Sequence, residues 1–421
     1  MEEIKEKVEI MAPVGSFESL QAAIQAGADS VYFGIGKLNM RARSTANFSL
    51  DDLREIVSIC RKHQTNTYLT VNTIVYSDET DEMRELLHAA RKEGVTAVIA
   101  SDWAVITKAQ KIGLRIHAST QCNITNLEAV RFYAQFADVM VTARELNLKQ
   151  VKEIVEGIRK ERIKGPSGEL VKIEVFAHGA LCMAISGKCY LSLDNLHASA
   201  NRGACLQLCR RKYTVRDAEE GTELLVDGKY ILSPKDLCTI GFLDKILYAG
   251  VSILKIEGRG RSPEYVKRVT CCYKEAVEAC RDHTYGEEKV KDWTRRLREV
   301  YNRDFWDGYY LGRKLGEWTE RYGSQARKTK IYVGKVNNFF SRKQVAEILM
   351  ENESMQTGDE ILIIGPTTGV MEEQIREIRV ELQPVACASK GTVCSIPVSG
   401  TVRRSDKVYK LINICDSDIY E

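Results

Sequence analysis

The chain is poor in the residues that mark familiar hydrolases. Its 421 residues include only 6 histidines, and neither H-E-x-x-H nor G-x-S-x-G occurs, so the zinc pair of many metallopeptidases and the nucleophile elbow of serine hydrolases are both missing. After the first apolar run, "APVGSFESL" has one glycine where a dinucleotide-binding G-x-G-x-x-G needs three. No apolar run approaches the roughly 18 residues of a membrane span, and "MEEIKEKVEIMAPVG" lacks the apolar centre of a signal peptide. These absences predict a cytoplasmic protein with no membrane partner. Low-complexity tracts are absent too, and a net charge of +3 on a chain with 28% charged residues does not by itself imply nucleic-acid binding.

Cysteine, by contrast, is plentiful, with 13 in the chain. Cytosolic thiols stay reduced, which argues against a disulfide framework and makes any tight group a candidate for metal or redox chemistry. Cys182, Cys189, Cys205 and Cys209 fall within 28 residues in the pattern C-x6-C-x15-C-x3-C. Thiolates suit zinc and iron–sulfur centres. The spacing lacks the close C-x2-C pairs of structural zinc and differs from ferredoxin patterns, so it points to a [4Fe–4S] cluster on four thiolates, with Cys238 as the reserve fourth ligand. The competing reading is small buried cysteines filling core space. That reading is preferred for Cys271, Cys272 and Cys280, on one helix, and for Cys60, Cys122, Cys387, Cys394 and Cys415.

From residue 9 to about 281, short β-branched runs alternate with amphipathic stretches: "EIMAP", "SVYFG", "TYLTVN", "AVIAS", "RIHAST", "DVMVTA", "KIEVFAHG" and "SILKIEG" are each followed by helical periodicity. Eight βα units predict an α/β fold, a (β/α)8 TIM-like barrel over residues 1–281. Between the seventh and eighth strands an insertion of about 181–250 carries all four clustered cysteines, with an accessory strand near "YILSPKDL" and a helix near "IGFLDKILYAG". Residues 282–328 read as a charged helix and an aromatic loop, "RDFWDGYYLG". Residues 329–421 read as a small, mostly β, barrel-like domain with one helix near "RKQVAEILMEN".

Catalytic residues of such barrels sit at the C-terminal ends of strands. There the sequence offers His117, Glu145, Lys255 and Glu257 as catalytic candidates, and Arg41, Arg43, Asn72, Arg144, His178 and Arg259 as substrate-binding ones. Strand alternation puts Lys255, Glu257 and Arg259 on one side. Guanidinium groups pair bidentately with carboxylate or phosphate, so an arginine-rich pocket favours a small anionic cosubstrate. For each residue alone, a satisfied hydrogen bond inside the barrel is an equal alternative. Cys182 beside His178 could mimic a cysteine–histidine pair, but three neighbouring cysteines explain Cys182 better as a ligand.

The run "EVFAHGALCMAISGKCYLS" resembles the signature of the collagenase-like peptidase family U32. The resemblance extends through "APVGSFESLQAAIQAGADSVYFG", "HASTQCNITN", "NRGACLQLCRRKY", "LSPKDLC" and "SILKIEGRGRSPEYV". It implies two possible activities, peptidase chemistry as in the family name or oxygen-independent hydroxylation by an iron–sulfur protein. The hydroxylating branches act on tRNA wobble uridine, ribosomal RNA cytidine or quinone precursors. The tRNA branch is the most similar, which implies 5-hydroxyuridine formation with prephenate as cosubstrate, and tRNA and a related U32 protein as partners. In the signature, Cys182 and Cys189 match its two cysteines, Cys205 matches the one after "RGA", and Cys209 or Cys238 the fourth. Tyr213, Arg303, Phe305, Trp306, Tyr309 and Tyr310 could stack a splayed base, or the aromatic loop could pack a domain interface. The C-terminal domain is expected to hold the tRNA.

Overall fold

Seven β-branched runs become β1 (Glu9–Pro13), β2 (Ser30–Gly34), β3 (Asn66–Val71), β4 (Ala97–Ala100), β5 (Arg115–Ala118), β6 (Val139–Val141) and β7 (Lys172–Gly179). This computed structural model describes residues 7–43, 47–213, 232–313, 316–321 and 323–414, with residues 215, 216, 219, 223 and 224 besides. Each strand pairs in parallel with the next. Strand residues are buried on both faces, because the barrel interior and the helices each cover one side.

Those helices are α1 (Phe17–Gln25), α2 (Asp52–Lys62), α3 (Thr80–Glu93), α4 (Trp103–Lys111), α5 (Leu127–Tyr133) and α6 (Leu148–Glu161). Helix α2 buries Leu53, Ile56, Val57 and Cys60, the i, i+3, i+4, i+7 stripe of an amphipathic helix. Each buried aliphatic side chain of this kind contributes about 1.5–3 kcal/mol of transfer free energy. Starts are set by side-chain caps: Ser16 accepts from Ser19 N, Asp102 from Ala104 N, and Asn147 forms a capping box with Gln150.

After β7 the chain leaves the repeat. The excursion contains α7 (Leu191–Leu196), the hairpin β8 (Val215–Arg216) and β9 (Glu223–Leu224), and β10 (Asp236–Cys238). Strand β10 realises the accessory strand at the end of "YILSPKDL", running antiparallel to the end of β7 with Leu237 opposite Gly179 and Cys238 opposite His178. Helix α8 (Leu243–Tyr248) and β11 (Ile253–Ile256) follow, and β11 pairs with both β1 and β7 to close the eight-stranded barrel. Helix α9 (Pro263–Arg281) completes the eighth unit, and α10 (Glu287–Leu297) is the charged helix. Within "RDFWDGYYLG", β12 (Phe305–Trp306) adds to the outer side of β10. Trp306 and Tyr310 are buried, and Tyr310 Oη donates to Phe176 O at 2.8 Å, so these rings pack the barrel.

The remaining described chain is an eight-stranded antiparallel sheet and a separate two-stranded pair around its own core, led by β13 (Lys328–Phe340) and β14 (Val345–Met350). The helix expected near "RKQVAEILMEN" is instead β14. Its burial alternates, with Ala346, Ile348 and Met350 inside, and it pairs with β13 and with Val393–Pro397. Apolar residues at 345, 346, 348 and 349 suit either period, and two antiparallel neighbours decide for the strand. The sheet rests on α1 and α9: Gln25 Nε2 donates to Thr368 O at 2.7 Å, Lys267 Nζ to Val370 O at 2.8 Å, and Ala22 packs with Leu362, Ile364 and Val370. Among the described residues, no helix is long and apolar enough to cross a membrane.

Candidate functional site

The C-terminal ends of the barrel strands open into a cavity of about 200 Å³ that the excursion after β7 roofs. Strand alternation delivers Tyr32 from β2, Thr70 from β3, Ile99 from β4, Phe176 from β7 and Lys255 from β11 to its floor. Strand-end loops add Asn72, Ser119, Gln121, Arg144, Glu257 and Arg259. All four clustered cysteines, Cys182, Cys189, Cys205 and Cys209, line the roof side.

Charge is strongly one-sided. Arg41, Arg144, Arg210, Arg259, Arg261, Arg303 and Lys255 face the cavity against one carboxylate, Glu257. Arg41 Nη2 donates to Glu257 Oε1 at 2.8 Å, and Tyr32 Oη donates to Ile256 O and Glu257 Oε2 at 2.9 and 3.1 Å. Burial opposes the Glu257 carboxylate, but Arg41 and Arg259 hold its pKa below the ordinary value. Arg259 is buried with Nη1 tied to Asn39 Oδ1 and Thr70 Oγ1 at 3.0 and 2.9 Å, and desolvation pushes its pKa down to about 10. An anion entering here would relieve that penalty. Gly34 lies beneath this guanidinium: a Cβ would come within 2.6 Å of Arg259 Nη1 and of the Asn39 side chain.

The thiols differ. Crowding by the surrounding protein opposes ionisation of Cys182, yet Arg144 and Arg41 outweigh it and lower its pKa. Burial raises Cys209, with Arg210 acting against it. Cys238, the reserve ligand, lies on β10 outside the cavity, and burial pushes its thiol up to about 11. Four thiols, one biased toward thiolate by two arginines, are a donor set that fits a soft metal centre or an iron–sulfur cluster. Among the described residues no three His, Cys, Asp or Glu side chains stand close enough together to hold a metal ion. A shared metal centre would require the four sulfurs to draw together within 182–209, coupling ligation to folding.

The chain is similar to known proteins over most of its length. The profile of Peptidase family U32 matches residues 15–320. The chain belongs to peptidase family U32. Among U32 relatives, a protein named collagenase from Porphyromonas gingivalis W83 is 58% identical over 402 residues, 96% of this chain and 97% of that protein. The tRNA hydroxylation protein P1 of Bacillus subtilis is 31% identical over 374 residues, 86% of this chain and 85% of that one. The 23S rRNA 5-hydroxycytidine C2501 synthase of Escherichia coli is 35% identical over 274 residues, 65% of this chain and 40% of that protein. The U32 chain is thus related both to hydroxylation enzymes and to proteins named as peptidases.

The U32 pocket gathers Arg41, Asn72, Arg144, Lys255, Glu257 and Arg259, and leaves four candidates outside its lining. Glu145, after β6, is solvent-exposed, and so is Arg43, whose backbone N donates to Gly203 O. His117 is buried beneath the floor, its ring 4.4 Å from that of Tyr68 and its Nδ1 3.3 Å from Glu174 Oε2. His178 is buried against Tyr273 and Phe305, so it makes no pair with Cys182, and desolvation pushes its pKa down to about 3. Two lining arginines, Arg210 and Arg261, went unassigned in the sequence, and Arg303, read there as a base-stacking candidate, lines the cavity as well. Arg210 ties the roof by donating to Ser233 Oγ, Pro234 O and Leu181 O at 2.8, 2.6 and 2.7 Å, and Arg303 lies 3.5 Å from Asp236. Their sequence signal was a basic residue after Cys209, the alternating "EGRGR" and a basic residue near the aromatic loop. Of the cysteines assigned to packing, Cys60, Cys272, Cys280 and Cys394 are buried, Cys122 and Cys271 partly so, Cys387 is exposed, and Cys415 lies outside the described residues.

Proposed function

We propose that this U32 protein is an oxygen-independent hydroxylation enzyme that carries a [4Fe–4S] cluster and forms 5-hydroxyuridine at the tRNA wobble position. The observation that carries this reading is the convergence of four cysteines and seven cationic side chains on one cavity. When bound, such a cluster would supply electron transfer or Lewis acidity at the roof of the pocket. Cys182, Cys189, Cys205 and Cys209 would hold it. Arg259, with an unrelieved desolvation cost, and Arg144, set over the Phe176 ring at 5.6 Å, would orient a small anionic cosubstrate of the prephenate kind. Tyr213, partly exposed beside Arg211 and Lys212, would face the incoming RNA. A cytoplasmic setting suits such a substrate.

Peptidase chemistry is the second reading, favoured by the name of the 58% identical relative. Against it, no histidine lines the cavity among the described residues, so Cys182 has no imidazole base. Ribosomal RNA or a quinone precursor would use the same pocket. Nucleoside analysis of tRNA and rRNA from a deletion strain, complemented with wild type or Cys182→Ser, tests the proposal. Loss of 5-hydroxyuridine-derived nucleosides, restored by wild type alone, is expected. Unchanged tRNA nucleosides would sink the tRNA assignment, and a change confined to rRNA cytidine would replace it. Gelatin cleavage by purified wild type, abolished by Cys182→Ser, would establish the peptidase instead.

A further inference from the structure

Beneath the cavity floor lies a buried polar column that the reading above does not use. Lys255 Nζ, on β11, sits 4.6 Å from the centre of the Tyr32 ring and 5.6 Å from that of Phe176, facing the cavity. Behind it, Glu174 on β7 is fully buried and accepts from Lys255 Nζ through Oε1 at 2.7 Å. Its Oε2 lies 3.3 Å from His117 Nδ1, so both carboxylate oxygens are engaged. The His117 ring lies tilted against that of Tyr68, whose Oη donates to Glu9 Oε1 at 2.7 Å near the opposite end of the barrel.

A buried lysine in a barrel pocket has two chemical uses. As a neutral amine it forms imines with carbonyl ligands; as an ammonium it binds oxyanions. The column decides between them. A carboxylate at 2.7 Å inside the protein favours the charged amine, and two aromatic faces add cation–π attraction. We propose that Glu174 is a positioning residue that keeps Lys255 an ammonium, making the cavity floor an oxyanion-binding point and barring imine formation there. His117 braces Glu174 from behind and touches no ligand. The inference rests on reading the cavity as an anion site, and deepens it by naming the group that fixes the charge of its floor.

The other ionisable groups facing this point are Tyr32 from β2, Tyr68 and His117 behind the floor, Arg144 after β6, and the Arg41–Glu257 pair with Arg259 beyond β11. None of them substitutes for Glu174, because none places a carboxylate against Nζ. Without that carboxylate the buried amine keeps no counter-charge against it, and burial disfavours a charged form that stands alone.

Sulfate is a suitable probe because its charge is constant between pH 6 and 9. Calorimetric titration should show Glu174→Gln binding sulfate at least as tightly as wild type at pH 6 and roughly tenfold or more weaker, relative to wild type, at pH 9. Adding Lys255→Arg, whose charge needs no support, should restore binding at pH 9. Glu174→Gln binding sulfate as well as or better than wild type at pH 9 overturns the inference, since removing a negative charge from a still-charged site can only help. Absence of sulfate binding by wild type at any pH overturns the anion reading instead. A second measurement uses wild type alone, so it decides even where Glu174→Gln does not fold. Glyoxylate condenses with a neutral amine, losing water, and cyanoborohydride adds hydride to the imine to give a stable secondary amine. No such adduct is expected on Lys255 at pH 7.5; one found there by mass spectrometry overturns the proposal.

Discussion

Breaking the Glu79–Arg202 pair should free the roof of the cavity. Arg202 precedes Cys205, and its guanidinium donates to both carboxylate oxygens of Glu79, to Ile74 O, and lies 4.0 Å over the Tyr76 ring. The Glu79 side chain is 7% exposed and that of Arg202 23%. The hydrogen bonds from Arg202 are the main cause holding the Glu79 carboxyl down to about 2, from an ordinary 4.5. At 1.36 kcal/mol per pH unit the difference corresponds to about 3 kcal/mol, and allowing for the exposed Arg202 and the weak Lys37 contact leaves about 2 kcal/mol. Because the folded-state pKa is depressed, this stabilisation is present above about pH 4.5 and is lost as pH falls toward 2. Trypsin cutting at Lys188, Arg211 or Lys212 under native conditions reads opening of this segment. Glu79→Gln at pH 7.5 should speed cleavage roughly thirtyfold, and Arg202→Met should do nearly the same. The double variant should add little, because both changes remove one interaction. Cleavage within threefold of wild type, or fully additive effects, would refute the argument.

Other expectations follow from single residues. In iron-free protein, Cys182 should react with iodoacetamide faster than Cys209 at pH 7.5, and Arg144→Met should slow Cys182; peptide mass spectrometry of timed samples checks this, since Arg144 and Arg41 favour the Cys182 thiolate while burial disfavours that of Cys209. His178 is held neutral down to about pH 3 by burial and, secondarily, by Arg261, so between pH 6.5 and 3 the unfolded chain takes up a proton that the folded one does not. Stability should fall by about 2 kcal/mol between pH 6.5 and 5 for this reason, and urea titrations of His178→Gln should lack that part of the slope. In β14, Ile348→Ala should cost about 3 kcal/mol and Leu349→Ala under about 1.5, measured by urea titration, because only Ile348 points into the core; equal losses would contradict the alternation.

How much of this was readable in the residues depended on whether the signal was local. Runs such as "SVYFG" and "AVIAS" are β-branched, aromatic or small, end in turn residues and precede amphipathic stretches, so the barrel strands could be found from their neighbours alone. The strand at 345–350 was lost to the same rule, because its apolar spacing fits both periods and its partners are far along the chain. At the site, Lys255, Glu257 and Arg259 alternate within one strand end and were legible together. His117 on β5 and His178 on β7 also lie near strand ends but sink below or behind the pocket, where aromatic rings and a carboxylate receive them. Glu174 shows why: its role exists only because β5, β7 and β11 meet across a closed barrel.

The antiparallel pairing of β10 with the end of β7 has a consequence for how this protein can vary. His178 and Gly179, where the roof segment departs, are the residues that Cys238 and Leu237 meet on its return. The cysteine-bearing stretch is therefore a cassette whose two ends are stitched together by main-chain hydrogen bonds at the rim. Lengthening or replacing it changes loop closure only logarithmically and leaves the barrel register untouched. One scaffold can accordingly exchange the whole roof while keeping the same charged floor.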